Sequence, residues 1–405
     1  MKFAFKRSLS PVAYCALHVK TGTRYEEKNQ GGLAHFTEHL LFKGTETKSA
    51  GTVNSFIERL GGELNAYTTK EETVIHATVL KEDLRKAVGL LMDIAFRCTF
   101  PDREIEKERG VVLEEINTYK DSPAEQIYDD FEEYMFDGTP LSMPVLGKAR
   151  YLKKIDRDTV SEYYRKMFIP ENMYFTIVAD IEESRARDMV SKALDTYSTS
   201  ASNGLEDGEG EAIAGSGQLG GNAPFEKSVS RHSHQAHCVI GARAYSAYDS
   251  RRIPLSLLVN ILGGPMANSR LNLILREKYG LVYSVDASYS LYSDAGAAAI
   301  YFGCEKTNVQ KCLTLIEREL RSLREETLSP RALNSAKKQL LGQMAIAADN
   351  GEAQVLSMGK SLMTYGRVIG NKETAELISG ITAEEIQDTA SEVFKPDNMS
   401  RLLYI

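Results

Sequence analysis

The chain lacks what several large classes of protein require. It has no basic excess: 49 Lys and Arg stand against 56 Asp and Glu, a formal net charge of −7. That argues against nucleic acid as a partner, which calls for a surface able to neutralise phosphates. No stretch approaches the roughly 18 consecutive apolar residues of a membrane span, so no membrane association is expected. The N-terminal MKFAFKRSLSPVAYCALHVK carries two basic clusters but no apolar segment ending in a small-residue cleavage site. A secretory signal is therefore not expected in the chain as given. Cysteine is sparse, with Cys15, Cys98, Cys238, Cys304 and Cys312 forming an odd set without a C-x-x-C pair. They read as buried free thiols of a reducing compartment, and the cytoplasm is the expected location.

What is present is an ordinary globular composition: 405 residues, 42% hydrophobic and 26% charged, enough for two domains with real cores. Residues 197–224 are rich in Gly, Ser and Ala without apolar periodicity and read as a flexible linker between domains 1–196 and 225–405. The two flanks repeat one another. IDRDTVSEYYRKMFIPENM from Ile155 and ITAEEIQDTASEVFKPDNM from Ile381 each give a helical stretch, a proline stop, Asn-Met and an apolar strand. ERLGGELNAYTTKEETVIHATV from Glu58 and REKYGLVYSVDASYSLYSDAGAAAIYF from Arg276 each give a helix end, a glycine cap and two strands. The expected fold is α/β (α+β): two homologous domains, each a mixed sheet packed with helices.

One stretch breaks the symmetry. HFTEH at 35–39 puts His35 and His39 one helical turn apart on one face, with Glu38 beside them. Two imidazoles at i and i+4 suit one tetrahedral metal ion. For 7 histidines in 405 residues, chance supplies about 0.12 such pairs, and roughly 0.02 with an acid at one fixed place between them. Solvated surface histidines are the plainer alternative, but Leu33, Phe36, Leu40 and Phe42 imply a partly buried helix, where unliganded imidazoles are costly. Laying Gly44 on Gly264 sets His35, Glu38 and His39 against Leu255, Leu258 and Val259, so the second half has an apolar face where the first has this cluster.

A catalytic zinc site takes three protein ligands and keeps one position open. The helix expected from Asp102, DREIEKERGVVLEEINTYKDSP, offers Glu108 and Glu115 two turns apart on one face, able to supply a ligand and a group that orients one. Residue types alone leave Glu114 and Glu115 both open, and any single Glu here also reads as a solvated charge.

The H-x-x-E-H order is the inverzincin motif. Together with GTRYEEKNQGGLAHFTEHLLFKGT it resembles the zinc-site block of the pitrilysin/insulinase family, which includes the mitochondrial processing peptidases, and the resemblance runs on to FKPDNM at the C-terminus. It implies one Zn²⁺ per chain held by His35, His39 and Glu115, the last through ERGVVLEE, with Glu108 in support. It makes Glu38 the general base for a water whose pKa zinc lowers toward about 7. It implies an edge strand at Asn65, Ala66 and Tyr67 to which a peptide adds. The Arg-x6-Tyr element, here Arg276 and Tyr283, implies a substrate anchor and an oxyanion donor. LGGPMANSR from Leu262 resembles the glycine-rich loop of the processing peptidases, and otherwise reads as a helix-to-helix turn. His76 reads as a packed histidine, and His232, His234 and His237 in HSHQAH as structural ones. Long relatives enclose unfolded peptides in a chamber of four such domains, so a two-domain chain implies a homodimer with shared active sites. The alternative is an inactive peptide-binding or assembly subunit of the same family. Against it, His35, Glu38, His39, Glu108, Glu115, Arg276 and Tyr283 are all present. The N-terminus, which begins close to the first strand, is expected to affect the first sheet edge or a dimer contact.

Overall fold

Some strands are apolar on both faces. MYFTIVA at 173–179 and GAAAIYFGC at 296–304 are buried at every position, so each must lie inside a sheet covered on both sides. The computed structural model, which describes residues 1–197, 206–207, 223–231 and 233–405, has that arrangement twice. Most of the 197–224 segment read as a linker lies outside the described residues.

In chain order the elements run β1 (Lys2–Arg7), β2 (Val12–Val19), α1 (Leu33–Leu41), α2 (Ala50–Glu58), β3 (Glu63–Thr68), β4 (Thr73–Leu80), α3 (Leu84–Arg97) and α4 (Asp102–Lys120). Then come α5 (Pro123–Met135), α6 (Ala149–Leu152), α7 (Arg157–Met167), β5 (Met173–Ala179), α8 (Glu183–Tyr197), β6 (Glu206–Asp207), β7 (Glu226–Val229), β8 (Ala236–Ala244) and α9 (Arg252–Gly263). A π-helical stretch (Asn272–Lys278) precedes β9 (Val282–Leu291) and β10 (Gly296–Cys304). The chain closes with α10 (Val309–Glu325), α11 (Pro330–Ala347), α12 (Gly351–Tyr365), α13 (Asn371–Gly380), α14 (Ala383–Val393) and β11 (Ser400–Tyr404).

The first sheet has the order β3-β4-β2-β5-β1-β6, the second β7-β11-β8-β10-β9. Both are mixed: β2 runs antiparallel to β4 and β5 while β1 and β5 are parallel, and β8 runs antiparallel to β10 and β11 while β7 and β11 are parallel. The expected fold class is therefore the observed one. The repeats are visible in detail. α7 and α14 are both 11 residues long, and their N-caps Asp156 and Thr382 each accept the N–H three residues on, at 2.9 and 3.1 Å. The β3–β4 and β9–β10 hairpins follow glycines, Gly61 and Gly280, at φ 74 and 58°, a left-handed conformation that other residues seldom adopt.

The chain forms two compact units, each drawing on separated stretches: residues 1–117, 143–213 and 346–369 in one, 118–142, 214–345 and 370–405 in the other. In the first unit, Phe36, Leu40 and Leu41 of α1 and Val88, Leu91 and Ile94 of α3 join the core on one face of the sheet. The opposite face is covered by Val355 and Met358 of α12, against Ala16, Val74 and Val178. In the second unit Ile127, Phe131 and Met135 of α5 cover Val239, Tyr301 and Leu402. Each sheet thus owes one cover to a helix from the other half of the sequence. No cysteine among the five is paired; Cys98 is half-buried and the others are buried. No helix among the described residues is long and apolar enough to cross a membrane.

Candidate metal centre

Helix α1 begins beneath a carboxylate. Glu26 accepts the backbone N–H of Gly32 at 3.0 Å and of Ala34 at 2.7 Å, placing an acid on the helix N-terminus, where orphan donors and the dipole favour it. Burial nevertheless pushes its pKa up to about 8 against those N–H groups. Phe36, Leu40 and Leu41 fix the buried stripe of α1, so His35, Glu38 and His39 face the rim of the core. Ile105, Val112 and Ile116 bury the matching face of α4, which brings Glu108 and Glu115 alongside.

The result is a convergent donor set. His35 Nε2 and His39 Nε2 lie 3.9 and 3.5 Å from Glu115 Oε2, and the three ligand atoms are within 4.8 Å of one another. A tetrahedral ion bound at 2.0–2.1 Å sets its ligand atoms roughly 3.3 Å apart, so the two histidine–Glu115 pairs need to close by about 0.2–0.6 Å, and no pair by more than about 1.5 Å, for these residues to fit Zn²⁺. Among the described residues this is the one group of three such side chains. His39 Nδ1 meets Glu108 Oε2 at 3.3 Å, and Lys43 Nζ meets Glu108 Oε1 at 2.7 Å. A proton on Nδ1 directed at Glu108 leaves Nε2 free to ligate. His35 Nδ1 is buried without a hydrogen-bond partner among the described residues. Burial first, then the neighbouring His39, holds the His35 pKa down near 3, keeping it the neutral imidazole that a metal requires. Glu114 is exposed.

Glu38 is buried and accepts a hydrogen bond from Thr68 Oγ1 at 3.0 Å. Burial raises its pKa, and His39 and the Thr68 hydroxyl oppose the rise. β3 pairs only with β4 among the described residues, at one margin of the sheet. Its alternation puts Leu64, Ala66 and Thr68 on the α1 side, while Tyr67 packs toward α12, its ring 6.3 Å from that of His76. Asn65 shares the Tyr67 side and is exposed. His76 is buried, with Nδ1 3.1 Å from Glu352. His237 is buried and meets Tyr301 Oη at 2.9 Å, His234 is exposed, and His232 lies outside the described residues. Arg276 and Tyr283 belong to the other compact unit, on the π-helical stretch and the margin strand β9. Tyr283 is 82% exposed. Residues 264–269 form a turn between α9 and the helical turn that leads into that π-helical stretch. Sequence reasoning missed Glu26, Lys43 and Thr68. Thr68 carried a usable signal, because the period of two from Leu64 through Ala66 sets it on the core side.

Family models match both halves: "Insulinase (Peptidase family M16)" over residues 2–149 and "Peptidase M16 inactive domain" over residues 154–340. A Bacillus subtilis chain named "Uncharacterized zinc protease YmxG" is 30% identical across 94% of this chain and 90% of its own length. A Rickettsia bellii chain named "Uncharacterized zinc protease" is 29% identical across 96% and 91%. Among solved structures, a protease from Helicobacter pylori superposes with a TM-score of 0.90 at 17% identity, covering 100% of this chain and 96% of that one. An M16 inactive-domain peptidase structure from Pseudomonas fluorescens gives 0.87 at 18% identity, with 99% and 94% covered. At those identities the structural likeness speaks for the fold alone.

Proposed function

The chain belongs to the insulinase family of peptidases (M16), and from that premise we propose that it is a zinc-dependent endopeptidase acting on unfolded peptides. The observation that carries the reading is the convergence of His35, His39 and Glu115, with the buried Glu38 carboxylate on the same turn of α1. Bound there, one Zn²⁺ per chain would supply a Lewis acid that polarises the scissile carbonyl and acidifies water.

The chain's own residues account for the remaining steps. Glu38 takes the proton of the attacking water and returns it to the leaving amine. Glu108 holds His39 in the ligating tautomer. An extended peptide adds to β3 at Asn65, Ala66 and Tyr67 through main-chain hydrogen bonds, with side chains alternating above and below. Tyr283 donates to the developing oxyanion, and Arg276 anchors the substrate backbone. We assign this last pair to the site of a second copy of the chain, giving a homodimer with shared active sites and a chamber that admits unfolded peptides. The five unpaired thiols favour a reducing compartment such as the cytoplasm. The second half carries the Arg276 and Tyr283 element but no metal set of its own: Leu255, Leu258 and Val259 are buried apolar residues where the first half carries His35, Glu38 and His39.

The test is Glu38→Gln. An amide hydrogen-bonds the water but cannot accept its proton, so zinc content and thermal midpoint should hold while turnover falls by about 10²–10⁴-fold or more. Near wild-type turnover in a fully loaded Glu38→Gln enzyme would overturn the mechanism.

A further inference from the structure

We infer that Thr68 is a positioning residue for Glu38, its hydroxyl, oriented by Thr73, fixing which carboxylate oxygen is left to move the proton. The inference rests on the peptidase reading above. Thr68 is the last residue of β3 and Thr73 the first of β4, paired across the hairpin. Their Oγ1 atoms are 3.2 Å apart, and Thr68 Oγ1 is 3.0 Å from Glu38 Oε2. An ionised carboxylate only accepts, so the Thr68 proton points at Glu38 and the Thr73 proton must point at Thr68. Each hydroxyl spends its single donor in one direction, and a chain of this kind polarises its members cooperatively.

The donor is held stiffly from both sides. Thr73 is 1% exposed. The turn between the two threonines is closed by Thr69 N–H donating to the Glu72 carbonyl at 2.8 Å. The Glu72 carboxylate is tied to His18 at 2.9 Å and to Lys360 at 3.0 Å, and Glu71 to Arg24. Thr68 is β-branched, which narrows its χ1 choices further. With Oε2 engaged, Oε1 is the oxygen that meets the water. The terminal torsion of a free glutamate is broad, so losing the donor spreads the carboxylate over orientations of which few are productive.

Thr68→Val removes the hydroxyl at nearly constant shape. Its kcat should fall about ten- to a hundredfold, as expected for a hydrogen bond to a charged group, with KM, zinc content, zinc dissociation constant and thermal midpoint unchanged. Thr68→Ser should restore most of kcat. Adding Thr68→Val to Glu38→Gln should leave the residual rate where Glu38→Gln alone puts it, because the hydroxyl acts only through the carboxylate. Thr73→Val should lower kcat in the same direction by less, and with Thr68→Ser it carries the test if Thr68→Val does not fold. Wild-type kcat in both valine variants, or a loss that appears in KM or in zinc content, would overturn the inference. A zinc-loaded wild-type chain that cleaves no peptide would instead overturn the peptidase reading, and undiminished turnover in Glu38→Gln the role of Glu38 as general base, so the failures are distinct.

Discussion

At the scale of single residues, His39 and His35 differ in what stands behind them. His39 Nδ1 has the buried Glu108, itself tied to Lys43, whereas His35 Nδ1 has no partner among the described residues. An outer carboxylate of this kind fixes ring orientation and raises ligand basicity, so Glu108→Gln should weaken zinc binding about 10–100-fold, measured by competition with a chromophoric chelator. An unchanged dissociation constant would remove Glu108 from that role. His35→Ala and Glu115→Gln each leave two ligands and should be recovered without zinc; full occupancy in both would show the ligand set to be wrong. HFTEH was legible because metal chemistry and the helical period demand the same spacing. The choice between Glu114 and Glu115 was not legible from residue type, since adjacent helix positions differ only in which face they take, and packing decides that. The strand period set Thr68 on the core side, but its contact with Glu38 was not legible, because a threonine ending a strand looks like any other strand former.

At the scale of elements, α12 is pressed against the first sheet. A Cβ on Gly359 would stand 2.0 Å from Nε2 of His18, which is fully buried on β2 and has nowhere to move. Gly359→Ala should therefore cost about 1–3 kcal/mol in denaturant unfolding, as overpacking does, and stability equal to wild type would show that the helix stands off the sheet. The same helix contributes Lys360 to Glu72. Burial would raise the Glu72 pKa, but the His18 hydrogen bond and Lys360 outweigh it and hold it below its ordinary 4.5. A depressed carboxylate stabilises the fold above its ordinary pKa and loses that contribution as pH falls through the lowered folded value. The thermal midpoint of Lys360→Met should accordingly lie below wild type at neutral pH and converge on it as pH drops beneath 4.5; a gap independent of pH would exclude the ion pair as its cause. The two helix–strand repeats were readable in advance because caps, proline stops and strand composition are local signals. The covering of each sheet by α12 and α5 was not, because an apolar helix face shows that something must be covered without saying which sheet it will cover.

At the scale of the whole molecule, the proposal places the partner's Arg276 and Tyr283 at each zinc site. Two inactive variants test it: Glu38→Gln alone, and Arg276→Ala with Tyr283→Phe. Mixed and allowed to exchange subunits, they should regain activity up to about a quarter of wild type, since random assortment makes half the dimers mixed and each mixed dimer has one intact site. No recovery on exchange, or a stable active monomer, would refute shared sites without touching the metal assignment. Zinc-dependent peptidase activity is the central claim, and it is met most directly by measuring zinc content and hydrolysis of a mixed peptide library on one preparation of the unaltered chain. Products are read by mass spectrometry before chelation, after it and after zinc is returned. The expected result is close to one zinc per chain, with cleavage lost on chelation and restored by zinc. Cleavage that persists in fully zinc-free protein, or a fully loaded chain that cuts nothing in the library, would contradict it.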